Sequence, residues 1–146
     1  MAATTEVREC SIARTLDLVG EKWTLLAVRE IMLGNRKFEE ITRYTGAPRD
    51  ILTTRLRKLE AQGLLDRVEY QVRPKRHEYQ LTELGWSLAP VVTMLRAWGD
   101  AHLSGPDGPP LSFEHDCGSV LTPVVCCDAC GRPLRPKTVR RLPAGE

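Results

Sequence analysis

Residues 35–81 combine two short helical patterns, a turn and a strand-like alternation, in that order. The first helical pattern covers about residues 37–45 and ends at Gly46, which can adopt the positive φ of a tight turn. Pro48 suits the first turn of a second helix, which ends at Gly63. This order is typical of two helices that cross at a tight turn, with a β-hairpin beside them.

The second of these helices has an apolar face and a polar face. Apolar residues at steps of four and three predict a buried stripe: Leu52, Leu56 and Leu59. The opposite face carries charged and hydroxyl side chains: Arg49, Asp50, Thr53, Thr54 and Arg57. Two further cations, Arg55 and Lys58, flank the stripe. We expect at least one of them to be structural, paired with Glu60 or Asp66.

Residues 67–72 alternate between polar and apolar side chains, which predicts a half-buried strand. Its inward residues would be Val68, Tyr70 and Val72. A basic turn follows at residues 73–76, and residues 77–81 return as the partner strand. The predicted fold class is therefore mainly α with a small antiparallel β-hairpin wing, a winged helix-turn-helix.

Helical patterns also flank this segment on both sides. A helix of about residues 11–19 precedes an almost wholly apolar one of about residues 22–33, which we expect at the centre of the core. After the hairpin, Thr82 suits the N-cap of a long helix to about residue 102, in which Pro90 should cause a kink or a local break. The apolar residues of that helix form a heptad-like seam suited to packing on another helix: Leu84, Leu88, Val91, Leu95 and Trp98.

Positive charge is concentrated in two stretches of the chain. The formal net charge of all 146 residues is only +2. Residues 36–76 carry eleven Lys and Arg against six Asp and Glu, and residues 132–146 carry five against one. Because the excess lies on the helix-turn-helix, the hairpin and the tail, it favours a polyanionic partner.

The polar face and the basic turn predict an interface for double-stranded DNA. A helix fits the major groove, where Arg can bind guanine through two hydrogen bonds and Thr can contact bases or phosphates. Helix N-termini bind phosphate, and a basic wing tip can reach a neighbouring phosphate or the minor groove. The predicted contacts are Asn35, Arg36 and Lys37 before the first helix, Arg49, Asp50, Thr53, Thr54 and Arg57 on the second, and Arg73, Lys75 and Arg76 in the wing.

Other interpretations of these residues compete with DNA binding. Charged helix faces are often merely solvated, and a basic hairpin tip can simply prevent edge-to-edge aggregation. A winged helix can also bind a protein. The agreement of several independent signals favours DNA.

The C-terminal part is set apart by composition. Residues 104–112 predict a linker, residues 113–136 a cysteine-rich extension, and residues 137–146 a disordered basic tail. Two closely spaced ligand pairs predict one structural zinc ion, because zinc ribbons close a tetrahedral site in this way. The predicted ligands are His115, Cys117, Cys127 and Cys130, with Cys126 as an alternative for the fourth. A redox dithiol, or free thiols with no special chemistry, are the other interpretations of the same residues.

Enzymatic activity is not expected. A thiol-disulfide oxidoreductase using Cys127 and Cys130 is the alternative, but such a pair needs a strand before it and a helix after it. No apolar run is long enough to span a membrane, and the first ten residues lack the apolar core of a signal peptide, so we expect the cytoplasm.

The chain resembles the HxlR family of bacterial winged-helix regulators, which are relatives of the MarR type. The resemblance covers about residues 8–103 and is carried by CSIARTLDLVGEKW at residues 10–23, LTTRLRKLEAQGL at 52–64 and YQLTELG at 79–85. It implies a transcriptional regulator and a homodimer built from the N- and C-terminal helices. We expect this regulator to act as a repressor. Such a dimer would bind an inverted-repeat operator.

The resemblance also draws attention to Cys10. In some members of the family the cysteine at this position senses oxidants or electrophiles, which implies a small reactive effector. A thiol at a helix N-terminus gains thiolate character, so the chemistry is compatible. The competing interpretation is an inert cysteine at the dimer interface.

Overall fold

The structure, a computed structural model, describes residues 8–142 of the 146-residue chain. The described chain divides into two compact units, with the boundary between Val92 and Thr93. The helices and strands follow in this order: α1 (Ser11–Val19), α2 (Lys22–Met32), α3 (Phe38–Thr45), α4 (Arg49–Ala61), β1 (Leu65–Val72), β2 (Lys75–Leu81), α5 (Glu83–Trp86) and α6 (Ala89–Leu103). Within residues 8–142, no helix is both long and apolar enough to cross a membrane.

The core of the first unit is built on α2, as its all-round apolar pattern predicted. α2 packs against α3, α4 and β2. The predicted stripe of α4 is fully buried in this core: Leu52, Leu56 and Leu59. Burial of that stripe fixes the rotation of α4 about its own axis, and therefore which of its side chains reach solvent.

A tight turn joins α3 to α4. Gly46 has φ +71°, in the left-handed region, and its N–H donates to the Thr42 carbonyl. The Thr45 hydroxyl accepts a hydrogen bond from the Ala47 N–H, and Pro48 lies at the N-cap of α4. The predicted helix-turn-helix is thereby confirmed.

The hairpin forms as predicted, but the predicted inward face of β1 is wrong. Val68, Tyr70 and Val72 are 38%, 42% and 72% exposed in the chain. The pairing skips Tyr70, because Glu69 faces His77 while Gln71 faces Arg76, and this bulge interrupts the alternation. Beyond the buried Leu65, β1 is therefore mostly exposed, whereas residues 77–81 of β2 are partly buried and the strand packs on α2.

The predicted long helix after the hairpin is two helices. Thr82 caps α5, where its hydroxyl accepts the Gly85 N–H at 3.1 Å. The chain then breaks at Ser87 and Leu88, and Pro90 is the second residue of α6, where its missing N–H costs no hydrogen bond. Pro90 thus produces the local break that its position predicted.

The seam predicted on this segment is mostly uncovered in the single chain. Leu88 packs on the core. Leu95 and Trp98 on α6 are 55% and 58% exposed, and Leu84 and Val91 are exposed as well. Large apolar side chains in solvent along one helix face indicate a surface that another surface covers.

The second unit continues from the last part of α6 into irregular chain. Isolated bridges join Glu114 to Val120 and Cys126 to Pro133, and each closes a small hairpin. Residues 137–142 have no helix or strand, and the rest of the predicted disordered tail, residues 143–146, lies outside the described part of the chain.

Candidate nucleic-acid interface

The solvent-facing side of α4 carries the side chains that the sequence predicted. Asp50, Thr54 and Arg57 are exposed, and Thr53 is half-buried. The Thr53 and Thr54 hydroxyls donate to the carbonyls one turn earlier, at 2.8 and 3.1 Å. Their protons are therefore used within the helix, while their oxygens and methyl groups stay available to a partner.

Arg57 is the basic side chain of α4 with the most freedom to bind a ligand. It is exposed, and among residues 8–142 no carboxylate lies within salt-bridge distance of it. A helix face that presents an unpaired guanidinium beside two threonines can hydrogen-bond base edges in a major groove.

Arg49, at the start of α4, is held by α3. Its guanidinium donates to both oxygens of the Glu39 carboxylate, at 2.7 and 2.8 Å, and lies 4.9 Å from the centre of the Phe38 ring. The hydrogen bonds from Arg49 lower the pKa of Glu39, and those to Glu39 raise the pKa of Arg49. The pair joins the two helices of the motif at the surface and leaves Arg49 only partly available to DNA.

Asn35, predicted to contact phosphate, has a partner inside the first unit. Its amide donates to the Glu30 carboxylate at 2.7 Å, and Arg29 holds the other oxygen of that carboxylate at 2.7 Å. Glu30 is buried, so these two donors satisfy a charge that would otherwise lack partners. The observed geometry gives the Asn35 side chain a structural contact.

Arg36 and Lys37 connect the start of α3 to the wing. The Arg36 carbonyl accepts the Tyr79 N–H of β2 at 2.8 Å, and the Lys37 ammonium lies 5.1 Å from the centre of the Tyr70 ring of β1. Burial raises the pKa of Tyr79, whose ring packs against the core. These contacts place the N-terminus of α3 beside the wing, with both cationic side chains exposed.

The wing tip presents two unpaired cations. Arg73 and Arg76 are exposed and, within the described chain, neither has a carboxylate within salt-bridge distance. Lys75 is paired with Glu69 at 3.0 Å. The structure therefore separates the predicted wing contacts into two free charges and one charge that is partly neutralised.

Arg55 and Lys58 are both structural, but the predicted partners are wrong. Arg55 forms a salt bridge with Glu21, and the Lys58 ammonium donates to the Asp17 carbonyl at 2.5 Å. Both contacts tie α4 to the segment around α1. Lys58 and Asp17 are 41 residues apart, and no local sequence pattern could predict a contact over that separation.

Cys10 is the N-cap residue of α1 and is partly buried. Its side chain makes no cap hydrogen bond, so its sulfur lies at the helix N-terminus without a backbone N–H partner there.

The cysteine-rich extension contains two similar turns. Cys117 and Cys130 each precede a glycine with positive φ, Gly118 and Gly131. Hydrogen bonds from the Ser119 backbone and side chain lower the pKa of Cys117, and bonds from Arg132, with a smaller one from Cys127, lower the pKa of Cys130.

The predicted zinc ligands do not converge in this structure. Among residues 8–142, no group of three or more His, Cys, Asp or Glu side chains is placed to hold a metal ion. Cys127 lies beside Cys130, while His115 accepts the Cys117 N–H in the other turn at 3.3 Å. Zinc binding stays a prediction, which metal analysis of the reduced protein decides: a near-equimolar zinc content confirms it, and its absence makes it wrong.

Comparison with known proteins identifies the relatives of this chain. A family model described as HxlR-like helix-turn-helix matches residues 18–106. An uncharacterized HTH-type transcriptional regulator of Mycobacterium tuberculosis is 44% identical over 134 residues, which are 91% of this chain and 85% of the relative. The resemblance inferred from the sequence motifs is confirmed.

Solved structures of similar proteins agree with the family match. The crystal structure of PA1607 is similar with a TM-score of 0.80 and 30% identity, over 96% of this chain and 99% of that one. The redox regulator HypR in its reduced form is similar with a TM-score of 0.60 and 33% identity, over 65% of this chain and 95% of HypR. The first of these similarities extends to the C-terminal extension, whereas the second covers about two thirds of the chain.

Proposed function

The chain belongs to the HxlR-like helix-turn-helix family, and on that premise we propose that it is a dimeric repressor that binds an inverted-repeat operator through α4 and the wing. Its relatives are named HTH-type transcriptional regulators. The observation that carries the proposal is the set of free guanidinium groups: Arg57 on the exposed face of α4, and Arg73 and Arg76 at the wing tip.

The three groups should act differently. Phosphate contacts position a protein on DNA without reading its sequence, whereas side chains in the major groove discriminate between bases. The wing arginines, at a solvated tip, would supply the first kind of contact. Arg57 and Thr53, on a helix whose rotation the core fixes, would supply the second.

A substitution series tests this division. Arg73→Ala and Arg76→Ala should weaken binding to every duplex by a similar factor, while Arg57→Ala and Thr53→Ala should also reduce the preference for operator over random DNA. The duplex is an inverted repeat found upstream of the protein's own gene, and fluorescence anisotropy gives both affinities. The wing variants serve as controls for the α4 variants. Unchanged affinity in all four would contradict the interface.

The exposed seam supports the homodimer. Leu95 and Trp98 on α6 lie in solvent in the single chain, and α1 exposes Ile12 and Leu16. A second copy that covers these faces would remove large apolar area from water at about 25 cal/mol per Å². Two-fold symmetry would then place the two α4 helices about one turn of DNA apart, roughly 34 Å.

Cys10 is the proposed entry point for an oxidant or electrophile signal. The proposal is supported by its place at the N-terminus of α1 and by the similarity to a regulator named for redox control. Diamide should release operator DNA from the native protein and leave the Cys10→Ser complex intact. Release from both proteins alike would show that the signal does not act through Cys10.

A further inference from the structure

The last part of the cysteine-rich extension and the chain after it form a basic, solvent-exposed segment. Residues 131–142 are all exposed and contain no carboxylate, but they carry five cations: Arg132, Arg135, Lys137, Arg140 and Arg141. Of the ion pairs among residues 8–142, only that of His115 with Asp116 involves a residue beyond 103. Arg132 donates to the Cys130 sulfur, but a guanidinium has five N–H groups. The positive charge of this segment is therefore available to an anionic partner.

Local structure brings three of these arginines to one open groove of about 950 Å³, which lies within the second unit. Arg132 lies on the second arm of a small hairpin, where its carbonyl accepts the Cys127 N–H at 2.9 Å. Arg135 begins a turn in which its N–H donates to the Thr138 hydroxyl at 3.1 Å. Beyond this turn, Arg140 lines the same groove. The three guanidinium groups therefore belong to one surface, and backbone hydrogen bonds hold the chain that carries them.

This surface suits an extended polyanion better than a compact anion. The groove is at the upper end of the size range for small-molecule sites, and Lys137 and Arg141 add positive charge outside its lining. A single phosphate ion would neutralise few of the five charges, whereas a nucleic-acid strand carries one phosphate at each nucleotide. Apolar side chains between the arginines, such as Leu134 and Val139, can contact the sugars that join those phosphates.

DNA is the polyanion that the first unit of the same chain would bind. When that unit holds an operator, the tethered extension meets the flanking duplex at a high effective concentration. We propose that Arg132, Arg135 and Arg140 bind the phosphate backbone of the DNA that flanks the operator, without reading its sequence. The proposal rests on the DNA-binding function proposed above and adds a second contact surface, in the second unit, to that function.

Two duplexes test the proposal: the operator alone, and the same operator with about ten base pairs, one helical turn, of unrelated sequence added at each end. In fluorescence anisotropy, the full-length native protein should bind the longer duplex about tenfold more tightly. The triple variant Arg132→Gln, Arg135→Gln, Arg140→Gln should lose this difference. Its log–log salt slope on the longer duplex should also fall by about 0.9 for each lost phosphate contact. A length effect that is equal in both proteins, or absent from the native protein, would overturn the proposal.

The matched control replaces the same three arginines with lysine. Lysine keeps the positive charge and binds phosphate as a point charge, so this variant should retain most of the length effect. A lysine variant that loses the effect as completely as the glutamine variant would contradict a contact made by charge. All three proteins should bind the operator-only duplex equally, which shows that the variants are folded. If the native protein binds neither duplex, the proposed regulator function fails too, whereas operator binding without a length effect overturns only the flanking contact.

Discussion

At the scale of single residues, the partner of a basic side chain determines what it can do. Arg57 and Arg49 both belong to α4, yet one is unpaired and the other is held by Glu39 in a two-point contact. The sequence predicted both as DNA contacts because helical periodicity gives direction and says nothing about partners on another helix. The same limit applies to Asn35. The sequence does not show that Glu30 is buried, and a buried carboxylate needs the hydrogen bond that the Asn35 amide donates.

The Glu39–Arg49 pair has a measurable titration. Hydrogen bonds from Arg49 lower the pKa of Glu39 from its usual 4.5, so the pair stabilises the fold above that pH and loses its contribution as the pH falls through the lowered value. In a carbon-detected NMR titration, the Glu39 carboxyl should change below pH 4.5 in the native protein and at a higher pH in Arg49→Ala. Identical midpoints would mean that the contact does not persist in solution.

Asn35 should matter for stability. Asn35→Ala removes one donor from the buried Glu30 carboxylate and should lower the free energy of unfolding by about 1–2 kcal/mol. The matched change at the neighbouring exposed position, Arg36→Ala, should cost less than about 0.5 kcal/mol. Urea denaturation compares the two, and equal losses would contradict the structural contact of Asn35.

At the scale of elements, the helices follow from periodicity, whereas the exposure of the wing does not. The spacing of Leu52, Leu56 and Leu59 predicted α4 and its rotation about its own axis. A helix that buries one face must present the opposite face to solvent. Alternation in β1 implied a buried face, but burial needs a second layer, and the sequence of a hairpin cannot say whether one exists. The bulge at Tyr70 adds a register change that alternation conceals.

The turn between α3 and α4 depends on one glycine. Gly46 has φ +71°, and a side chain there would be strained although no atom lies in its way. Gly46→Ala should therefore lower the free energy of unfolding by about 1–2 kcal/mol. Gly105→Ala, in a loop position without positive φ and with open space around it, should have little effect in the same thermal and urea unfolding experiments. A neutral Gly46→Ala would imply that the turn relaxes to another conformation.

At the scale of the whole molecule, the proposed binding of an inverted-repeat operator needs two copies of the chain. The heptad-like seam could be predicted from residues alone, since apolar side chains at steps of four and three indicate a packing face. The sequence could not show what covers that face, because no residue among 8–142 buries Leu95 or Trp98.

Disrupting the seam should separate the copies. Leu95→Glu places a charge on a face that the dimer would bury and should convert the protein from dimer to monomer in sedimentation velocity. Val72→Glu alters a side chain that is still more exposed, at 72%, but lies on the wing, so it should remain dimeric. A monomeric native protein, or a dimeric Leu95→Glu, would contradict the proposed interface.

The central claim is that α4 and the wing bind DNA through Arg57, Arg73 and Arg76. Its most direct test is the salt dependence of operator affinity, measured by anisotropy for the native protein, Arg73→Ala and Arg57→Ala. The affinity of the native protein should fall steeply and linearly on a log–log plot, and Arg73→Ala should reduce the slope by about one for each copy of the lost phosphate contact. Arg57→Ala should chiefly reduce the ratio of operator to random-sequence affinity. A salt-independent affinity, with both variants binding like the native protein, would contradict the account.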